Sequence, residues 1–349
     1  MAITAALVKA LRDRTSAGMM ECKKALVDSN GDIDAATELL RKSGLAKAEK
    51  KADRIAAEGR VAYAISDDKQ FAAIVEINCE TDFVSKGDIF GDFSQNIASL
   101  SANEKLTELD AINQAPLAGE TVDEKRRSLV TTLGENINIR RLGSISTNGV
   151  VNGYVHGGGK VGVIIAATCD ESVRDKTEEL LRNLAMHACA MKPASISYLD
   201  LDLDFVARET EAIRAEIEKG NEELERLGKQ LRRIPDFVSR HQLTDDVLAA
   251  VEQTMKDTLK AEGKPEHIWD KIIPGQLDRY IKDNTELDQA HALLSQTYVM
   301  DDKKTVEQAI ADVHPSIQLV DYIRFELGEG IEKKVDNFVE EVMAQAKNA

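Results

Sequence analysis

The residue types that most often perform chemistry are scattered in this chain. Its four cysteines, Cys22, Cys79, Cys169 and Cys189, show neither Cys-x-x-Cys spacing nor a nearby pair of histidines, so we predict no zinc site and no disulfide framework. No Ser-His-Asp or Cys-His set stands out, and among 61 Asp and Glu residues a catalytic carboxylate pair is indistinguishable from surface charge. The sequence therefore predicts no enzyme active site, no metal ion and no cofactor.

Two histidines and a glycine-rich run are the remaining candidates for a reactive group. His156 and His187 lack Cys, Asp or Glu at ligand spacing, and a lone histidine is more often a structural or surface donor. The run from Gly153 to Gly162 could suggest phosphate binding, but no Gly-Lys-Ser/Thr follows and no helix N-terminus is placed to receive an anion. We interpret it as a tight hairpin turn, and an enzyme using either histidine is kept as a minor hypothesis.

The stretch from Glu76 to Val84 could instead act by contact with a partner. A run of apolar and β-branched residues ends there in a polar turn, which presents Phe83 beside Asp82. An amphipathic helix is predicted directly afterwards from the spacing of Phe90, Phe93, Ile97 and Leu100. Phe83 is thus predicted at a strand-to-helix corner, where exposure forgoes roughly 1.5–3 kcal/mol of burial. The ring either folds back into the core or waits for a partner.

Three short helices are predicted in the first 45 residues. Met19 to Val27 forms the second, and Asp32 caps a third that closes at Gly44. The adjacent Met19 and Met20 diverge by about 100° around the helix, so one of them is predicted to be an exposed contact. The alternative is that both are partly buried between the bundle and the solvated helical linker predicted from Ala46 to Arg60.

The middle of the chain predicts two related α+β subdomains. A hairpin pattern is formed by two β-rich runs, Arg60 to Ser66 and Phe71 to Asn78. A similar pattern occurs 90 residues later, with Gly149, Ile164 and Cys169 at the positions equivalent to Gly59, Ile74 and Cys79. Between the two units, Thr121-x-x-Glu124 is a capping box opening a helix that ends at Leu133-Gly134. An alternating strand follows from Glu135 to Arg141.

A charged helical arm is predicted after the second subdomain. Apolar residues from Glu209 to Ile234 fall into heptads, which is typical of a coiled-coil seam. Pro235 to Asp245 breaks the helix, and a return arm begins at Val247. The pattern predicts an antiparallel helical coiled-coil hairpin.

Composition and charge limit the function classes. The chain has 349 residues, 43% of them hydrophobic, and a formal net charge of −16, which disfavours binding to a phosphate backbone. Residues 1–60 carry twelve Lys or Arg against nine Asp or Glu, so this segment could meet an acidic patch on another protein or be an ordinary solvated surface. No stretch approaches 18 apolar residues, so we predict no membrane span and no direct nucleic-acid partner.

The predicted fold class is α+β: an N-terminal three-helix bundle, a core of two related subdomains, an inserted helical hairpin and a C-terminal helix with Val335, Phe338, Val339 and Val342 on one face. The predicted boundaries are 1–55 for the bundle, 56–145 for the first subdomain, 146–200 with 270–325 for the second, 201–269 for the insertion and 326–349 for the C-terminal module.

Four segments resemble signatures of the bacterial translation elongation factor Ts family. They are Asn78 to Val84, Leu11 to Leu26, Leu133 to Arg141 and Ile323 to Lys333. The first three helices also resemble a ubiquitin-associated-type bundle. The chain departs mildly from the family pattern, with Ser16 for Gly, Glu21 for Asp, Leu133 for Ile and Thr297-Tyr298 for Pro-Phe.

The resemblance implies a guanine nucleotide exchange factor that acts on elongation factor Tu in the bacterial cytosol, or an organelle form without its transit peptide. It implies that the turn Thr81, Asp82, Phe83 and Val84 dislocates the Mg²⁺ of the GTPase, with Phe83 as the wedge. Further contacts implied by the resemblance are Arg12, Met19, Met20, Lys23, Leu133, Gly134, His156, Val299 and Met300. The family often uses its helical arm to pair subunits, so a homodimer through the arm is one expectation.

A different class of function remains open from the residues alone. A ubiquitin-associated-type adaptor, whose arm assembles other proteins, would retain partner binding in residues 1–50 and would not affect a nucleotide.

Overall fold

The computed structural model describes residues 3–15 and 17–332, without the side chains of residues 45–49. The chain forms two compact units, one of the residues up to Ala166 together with those from Ile323 onward, and one of Ala167–Tyr322. The C-terminal helix predicted with Val335, Phe338, Val339 and Val342 on one face lies outside the described residues. The predicted α+β class is confirmed, because helices surround small antiparallel sheets. The five-part division of the chain stays a prediction.

Three helices open the first unit, as predicted: α1 (Ala5–Thr15), α2 (Met19–Asp28) and α3 (Ile33–Lys51). Their shared core includes Leu11, Cys22, Leu26 and Ala36, all fully buried. Asp32 caps α3, since its Oδ1 accepts hydrogen bonds from the amides of residues 34 and 35 at 2.9 and 3.0 Å. Propensity, capping and burial thus agree over this segment.

The prediction that the third helix closes at Gly44 is wrong, because α3 continues to Lys51. Gly44 is buried, and a Cβ there would lie 3.2 Å from the Oγ1 of Thr131. The glycine therefore allows close packing of α3 on the helix that contains Thr131 and does not cap a helix end. The helical linker predicted to reach Arg60 is correspondingly shorter, since a strand already begins at Glu58.

The central sheet of the first unit has the order β1-β2-β5 and is antiparallel. Its strands are β1 (Glu58–Ile65), β2 (Phe71–Cys79) and β5 (Ile137–Ser146). The predicted hairpin is confirmed, and β2 is buried along its whole length. A register shift between Glu76 and Ile77 interrupts the pairing of β2 with β5, so that Cys79 lies opposite Ile137.

Helices on this sheet complete the core. Between β2 and β5 the chain forms α4 (Asp82–Ser85), α5 (Asp88–Asn103), α6 (Leu109–Gln114), β3 (Pro116–Leu117), β4 (Glu120–Thr121) and α7 (Val122–Leu133). Phe90, Phe93 and Ile97 of α5 are buried in the same cluster as Val75 and Ile77 of β2, as the helical spacing predicted. The capping box of α7 is present in full, and Gly134 ends the helix with φ 81°.

A second sheet has the order β6-β7-β8, with β6 (Val150–His156), β7 (Val161–Thr168) and β8 (Gln318–Glu326). The helix α8 (Arg174–Met191) follows β7. The order of hairpin then helix thus occurs twice, with β7 beginning 90 residues after β2, as the spacing of related residues predicted.

The second unit is mainly helical, with α9 (Leu203–Arg226), α10 (Asp245–Ala261), α11 (Trp269–Asp283), α12 (Glu286–His291) and α13 (Val306–Val313). The prediction of a coiled-coil helix through Ile234 is wrong, because α9 ends at Arg226. Gly228 turns the chain with φ 62°, and the segment that returns along α9 is not helical.

Side chains of α9 hold that returning segment. Asn221 hydrogen-bonds both the amide and the carbonyl of Arg232 at 2.7 Å, and the Arg214 guanidinium donates to the carbonyl of Pro235 at 3.1 Å. The heptad spacing reflected an apolar stripe on α9, but polar side chains on the same helix bind the backbone of a returning segment that is not helical. Helix α10 packs instead against α11.

Candidate partner-binding site

Phe83 lies at the corner between β2 and α5, as predicted. The chain leaves β2 at Cys79 and forms the single helical turn α4, in which Val84 and Ser85 are buried and Phe83 is 86% exposed. The alternative in which the ring folds back into its own core is therefore excluded. An aromatic ring in this setting has most of its apolar surface available for a second molecule.

Hydrogen bonds at both ends fix the backbone of α4. At its start, the Thr81 hydroxyl accepts a hydrogen bond from the Val84 amide at 3.3 Å, which makes Thr81 the N-cap. At its end, the Arg60 guanidinium of β1 donates to the carbonyl of Ser85. The turn is thus attached to the sheet beside it while its aromatic side chain is left exposed.

Asp82 contributes a local ion pair rather than a direct anchor to the sheet. Lys86 Nζ donates to Asp82 Oδ2 at 2.6 Å, one helical turn away. The hydrogen bond from Lys86 lowers the pKa of the Asp82 carboxyl, so this group is ionised at neutral pH. Both side chains are mostly exposed, so the pair contributes little to stability but places opposite charges beside the Phe83 ring.

The segment after α7 lies against this turn. Glu135 accepts hydrogen bonds from the amides of Glu80 and Thr81 at 3.1 and 3.0 Å and from the Thr81 hydroxyl at 2.6 Å. In return, the amide of Asn136 donates to the Glu80 carboxylate at 2.6 Å. The structure therefore brings the predicted contact residues 81–84 and the corner at residues 133–134 together.

The same corner is attached to the end of the N-terminal bundle. Lys51 Nζ at the end of α3 donates to the carbonyl of Gly134. The side-chain amide of Asn136 donates to the carbonyls of Ala52 and Arg54 at 3.2 and 2.8 Å. Gly134 is exposed and Leu133 is half-buried, so this corner has accessible surface of its own.

The predicted contacts on the bundle are all exposed. Met19 and Met20 are 56% and 75% exposed, so neither faces the core, and the alternative in which both are partly buried is wrong. The side chains of α2 that do face the core are Cys22, Ala25 and Leu26. Arg12 and Lys23 are exposed cations near the two methionines in sequence. Flexible thioethers beside positive charges suit an adaptable protein contact.

His156 is exposed at the end of β6, and its Nδ1 lies 3.3 Å from the Tyr154 hydroxyl. The glycines that follow form the predicted tight turn, with positive φ at residues 157 to 159. A Cβ at Gly159 would lie 3.0 Å from the Cβ of Arg60, so this glycine also allows close packing on β1. The run is explained by backbone geometry, without a bound phosphate.

His187 is a structural histidine of the second unit. It is fully buried, its Nδ1 accepts a hydrogen bond from the Val299 amide at 3.2 Å, and its Nε2 therefore carries the proton donated to Gln296 Oε1 at 3.0 Å. Burial lowers the pKa of His187 and keeps the ring neutral. Val299 and Met300, which follow, are each about half exposed.

Glu76 begins the stretch singled out from the sequence, but its role inside the fold was not predicted. Its fully buried carboxylate accepts hydrogen bonds from the side chains of Arg140, Arg141 and Asn78 and from the backbone amide of Gly328. Burial alone would raise the pKa of Glu76, but the Gly328 and Asn78 hydrogen bonds and the Arg141 charge outweigh it and lower the pKa. The one available signal was a charged residue inside an apolar strand.

Two structural findings limit other kinds of site. Within the described part of the chain, no group of three or more His, Cys, Asp or Glu side chains is arranged to hold a metal ion. No helix among residues 3–15 and 17–332 combines the length and the apolar surface that crossing a membrane requires.

Comparison with known proteins identifies the family. The family model described as elongation factor TS matches residues 80–229 and 233–329. Elongation factor Ts of Aliarcobacter butzleri is 52% identical over 98% of both chains. Elongation factor Ts of Campylobacter fetus subsp. fetus is 51% identical over 99% of both chains. Elongation factor Ts of Wolinella succinogenes is 50% identical over 98% of this chain and 99% of the Wolinella chain. The matches include the Phe83 turn, the Glu135 corner and the helical second unit. The chain therefore belongs to the elongation factor Ts family.

Proposed function

We propose that this chain is the guanine nucleotide exchange factor of translation elongation, which binds elongation factor Tu and accelerates release of its GDP, with Phe83 as the residue that enters the GTPase. Family membership supports the exchange role itself. The observation that carries the residue assignment is the 86% exposure of Phe83 on a backbone turn that Glu135 and Arg60 hold in place. No chemical step is assigned to this chain, because altering a partner's equilibrium requires only contacts.

The proposed mechanism begins with burial of the Phe83 ring. Moving the ring from water into an apolar cleft of the GTPase contributes roughly 1.5–3 kcal/mol. If that cleft opens only when the elements holding Mg²⁺ and the β-phosphate move apart, the same free energy favours the displaced state. The bound diphosphate then loses its main charge neutraliser and dissociates faster.

Thermodynamic linkage determines when the complex of the two proteins dissociates. If the exchange factor weakens GDP binding by a given factor, GDP weakens binding of the exchange factor by the same factor. The proposed binary complex is therefore tight only when the nucleotide site is empty, and binding of GTP dissolves it.

The remaining contacts are assigned to the surfaces around the wedge. On the first unit these are Arg12, Met19, Met20 and Lys23 of the bundle, Leu133 and Gly134 beside the wedge, and His156 at the second hairpin. On the second unit they are Val299 and Met300. Their exposure and the resemblance to the family support these assignments. Pairing of two chains through the charged arm stays a prediction.

The experiment is stopped-flow release of a fluorescent GDP analogue from elongation factor Tu. We expect Phe83→Ala to slow the stimulated release by about 10- to 150-fold, the change that corresponds to loss of the ring's burial free energy. The thermal unfolding midpoint should stay the same, because the exposed ring contributes little to folding.

A matched control removes a comparable exposed apolar side chain from the second unit. Leu203, at the start of α9, is 64% exposed and is not assigned to the interface. Leu203→Ala should leave stimulated release unchanged. Equal stimulation by wild type and Phe83→Ala would refute the wedge assignment, and a wild-type chain that does not stimulate release would refute the proposed function.

A further inference from the structure

Helix α4 is too short to hold Phe83 in one orientation by itself. It comprises only Asp82–Ser85, and a single helical turn is unstable in isolation because the first hydrogen bond must fix several dihedral angles. The position of the ring therefore depends on the groups that hold the ends of this turn. Among these, Glu135 makes the largest number of hydrogen bonds to it.

Both carboxylate oxygens of Glu135 are used. Oε2 accepts from the amides of Glu80 and Thr81, which lie beyond the end of β2 and before the first hydrogen bond within α4. Oε1 accepts from the Thr81 hydroxyl at 2.6 Å. Hydrogen bonds to an ionised carboxylate are about twice as strong as those between neutral groups. Without Glu135, the two amides would have no partner from the regular elements around them.

Glu135 also fixes the cap of the turn that carries Phe83. A threonine hydroxyl has one proton, and at Thr81 that proton is donated to Glu135. The oxygen lone pairs are then available to the Val84 amide at 3.3 Å, which is the capping hydrogen bond of α4. Glu135 therefore sets the rotamer of the capping side chain, although it does not belong to the turn.

We propose that Glu135 is the positioning residue of the exchange site, which orders the turn of residues 80–84 before the partner arrives and so fixes the direction of the Phe83 ring. This inference rests on the proposed function of Phe83. Glu135 acts through the backbone of the turn, without a contact of its own to the GTPase. A contact that is ordered beforehand avoids the entropy cost of ordering it on binding.

The test combines two single variants with their double variant in the GDP-release assay. We expect Glu135→Ala to slow stimulated release roughly tenfold, because the turn must then be ordered during binding. In the Phe83→Ala background, the same substitution should change the rate by less than about twofold, since residues that act through one group are not additive.

A matched control is available in the capping box of α7. Glu124 accepts hydrogen bonds from the amide and the hydroxyl of Thr121 at 3.0 and 3.2 Å, which is the arrangement that Glu135 makes with Thr81. Glu124→Ala removes these two hydrogen bonds and an ion pair with Arg41 at 3.4 Å elsewhere in the same unit, whereas Glu135→Ala removes three hydrogen bonds. It should leave stimulated release within about twofold of wild type.

Hydrogen exchange of the isolated protein gives a second readout. Glu135→Ala should accelerate exchange of the amides of Glu80 and Thr81, and Glu124→Ala should not. Suppose that wild type stimulates release and that Phe83→Ala slows it as expected. If Glu135→Ala is then neutral or fully additive with Phe83→Ala, the positioning role alone is refuted. If Phe83→Ala leaves release unchanged, the proposed wedge is wrong and the positioning role falls with it.

Discussion

Replacing Glu76 with glutamine is expected to destabilise the central sheet of the first unit by about 3 kcal/mol. The Glu76 carboxylate is fully buried and binds Arg140 and Arg141 of β5 together with the amide of Gly328, which follows β8. Glutamine has the same shape but no charge. The substitution therefore leaves two guanidinium groups without their common counter-ion.

The magnitude follows from the burial of each partner. Removing one member of a buried ion pair costs about 3–5 kcal/mol, because the other charge stays buried and unpaired. The side chains of Arg140 and Arg141 are 26% and 27% exposed, so they are partly hydrated, which argues for the lower end of that range. Arg141 also pairs with the Glu329 carboxylate at 3.1 Å, donates to the carbonyl of Glu326 and lies 4.1 Å over the ring of Phe325. These contacts remain in the variant and also argue for the lower end of the range.

Amide hydrogen exchange of β2 and β5 measures this cost directly. A loss of about 3 kcal/mol corresponds to roughly 150-fold faster exchange of the most protected amides. The control is Glu58→Gln, which breaks a half-exposed pair with Lys160 at 2.8 Å and should cost less than about 1 kcal/mol. If Glu76→Gln costs no more than this control, the buried carboxylate is not what joins β5 and the Gly328 turn to β2.

Two further predictions use the shifted pKa values. Burial and the charge of Glu135 raise the pKa of the Cys79 thiol to about 12. Alkylation at pH 8 should therefore modify the half-exposed Cys169 well before Cys79, as measured by peptide mapping. Equal rates of modification at the two cysteines would contradict this prediction. Burial lowers the pKa of His187, so the unfolded chain binds a proton at this residue more tightly than the folded chain. The free energy of unfolding of the second unit should therefore be highest above about pH 6.5 and should fall at lower pH. Denaturant unfolding followed by the single tryptophan at pH 7 and pH 5 should show a smaller loss for His187→Gln than for wild type, and an equal loss would refute the assignment.

Signals contained within a few residues predicted the local structure well. The capping box at Thr121 and Glu124, the positive-φ glycine at Gly134 and the apolar spacing in α5 each specify an interaction between near neighbours. The position of Phe83 at a strand-to-helix corner was predicted in the same way, but whether its ring folds back into the core was left open. These features do not depend on which distant segment packs against them.

Features decided by a distant partner were predicted poorly. From the sequence, Gly44 was interpreted as the end of a helix. The structure shows that Thr131 on α7 lies beside it, so the glycine serves helix packing. The apolar stripe of α9 was interpreted as a coiled-coil seam, although the returning chain is not helical and is held by hydrogen bonds from Asn221 and Arg214. A periodic pattern identifies a face to be covered, but it does not specify whether a helix or an extended segment covers it.

Two carboxylates, those of Glu76 and Glu135, connect segments that are far apart in the sequence. Glu76 binds groups 64 and more residues away along the chain, and Glu135 binds the turn that precedes it by more than 50 residues. Both bind backbone amides at places where regular elements end, and such amides must be satisfied from elsewhere. Around Phe83 this leaves the backbone amides of residues 80 and 81 bound within the chain while the ring stays exposed. A side chain on a turn whose two ends are held by hydrogen bonds can transmit its binding free energy to a partner, because the turn has less freedom to move.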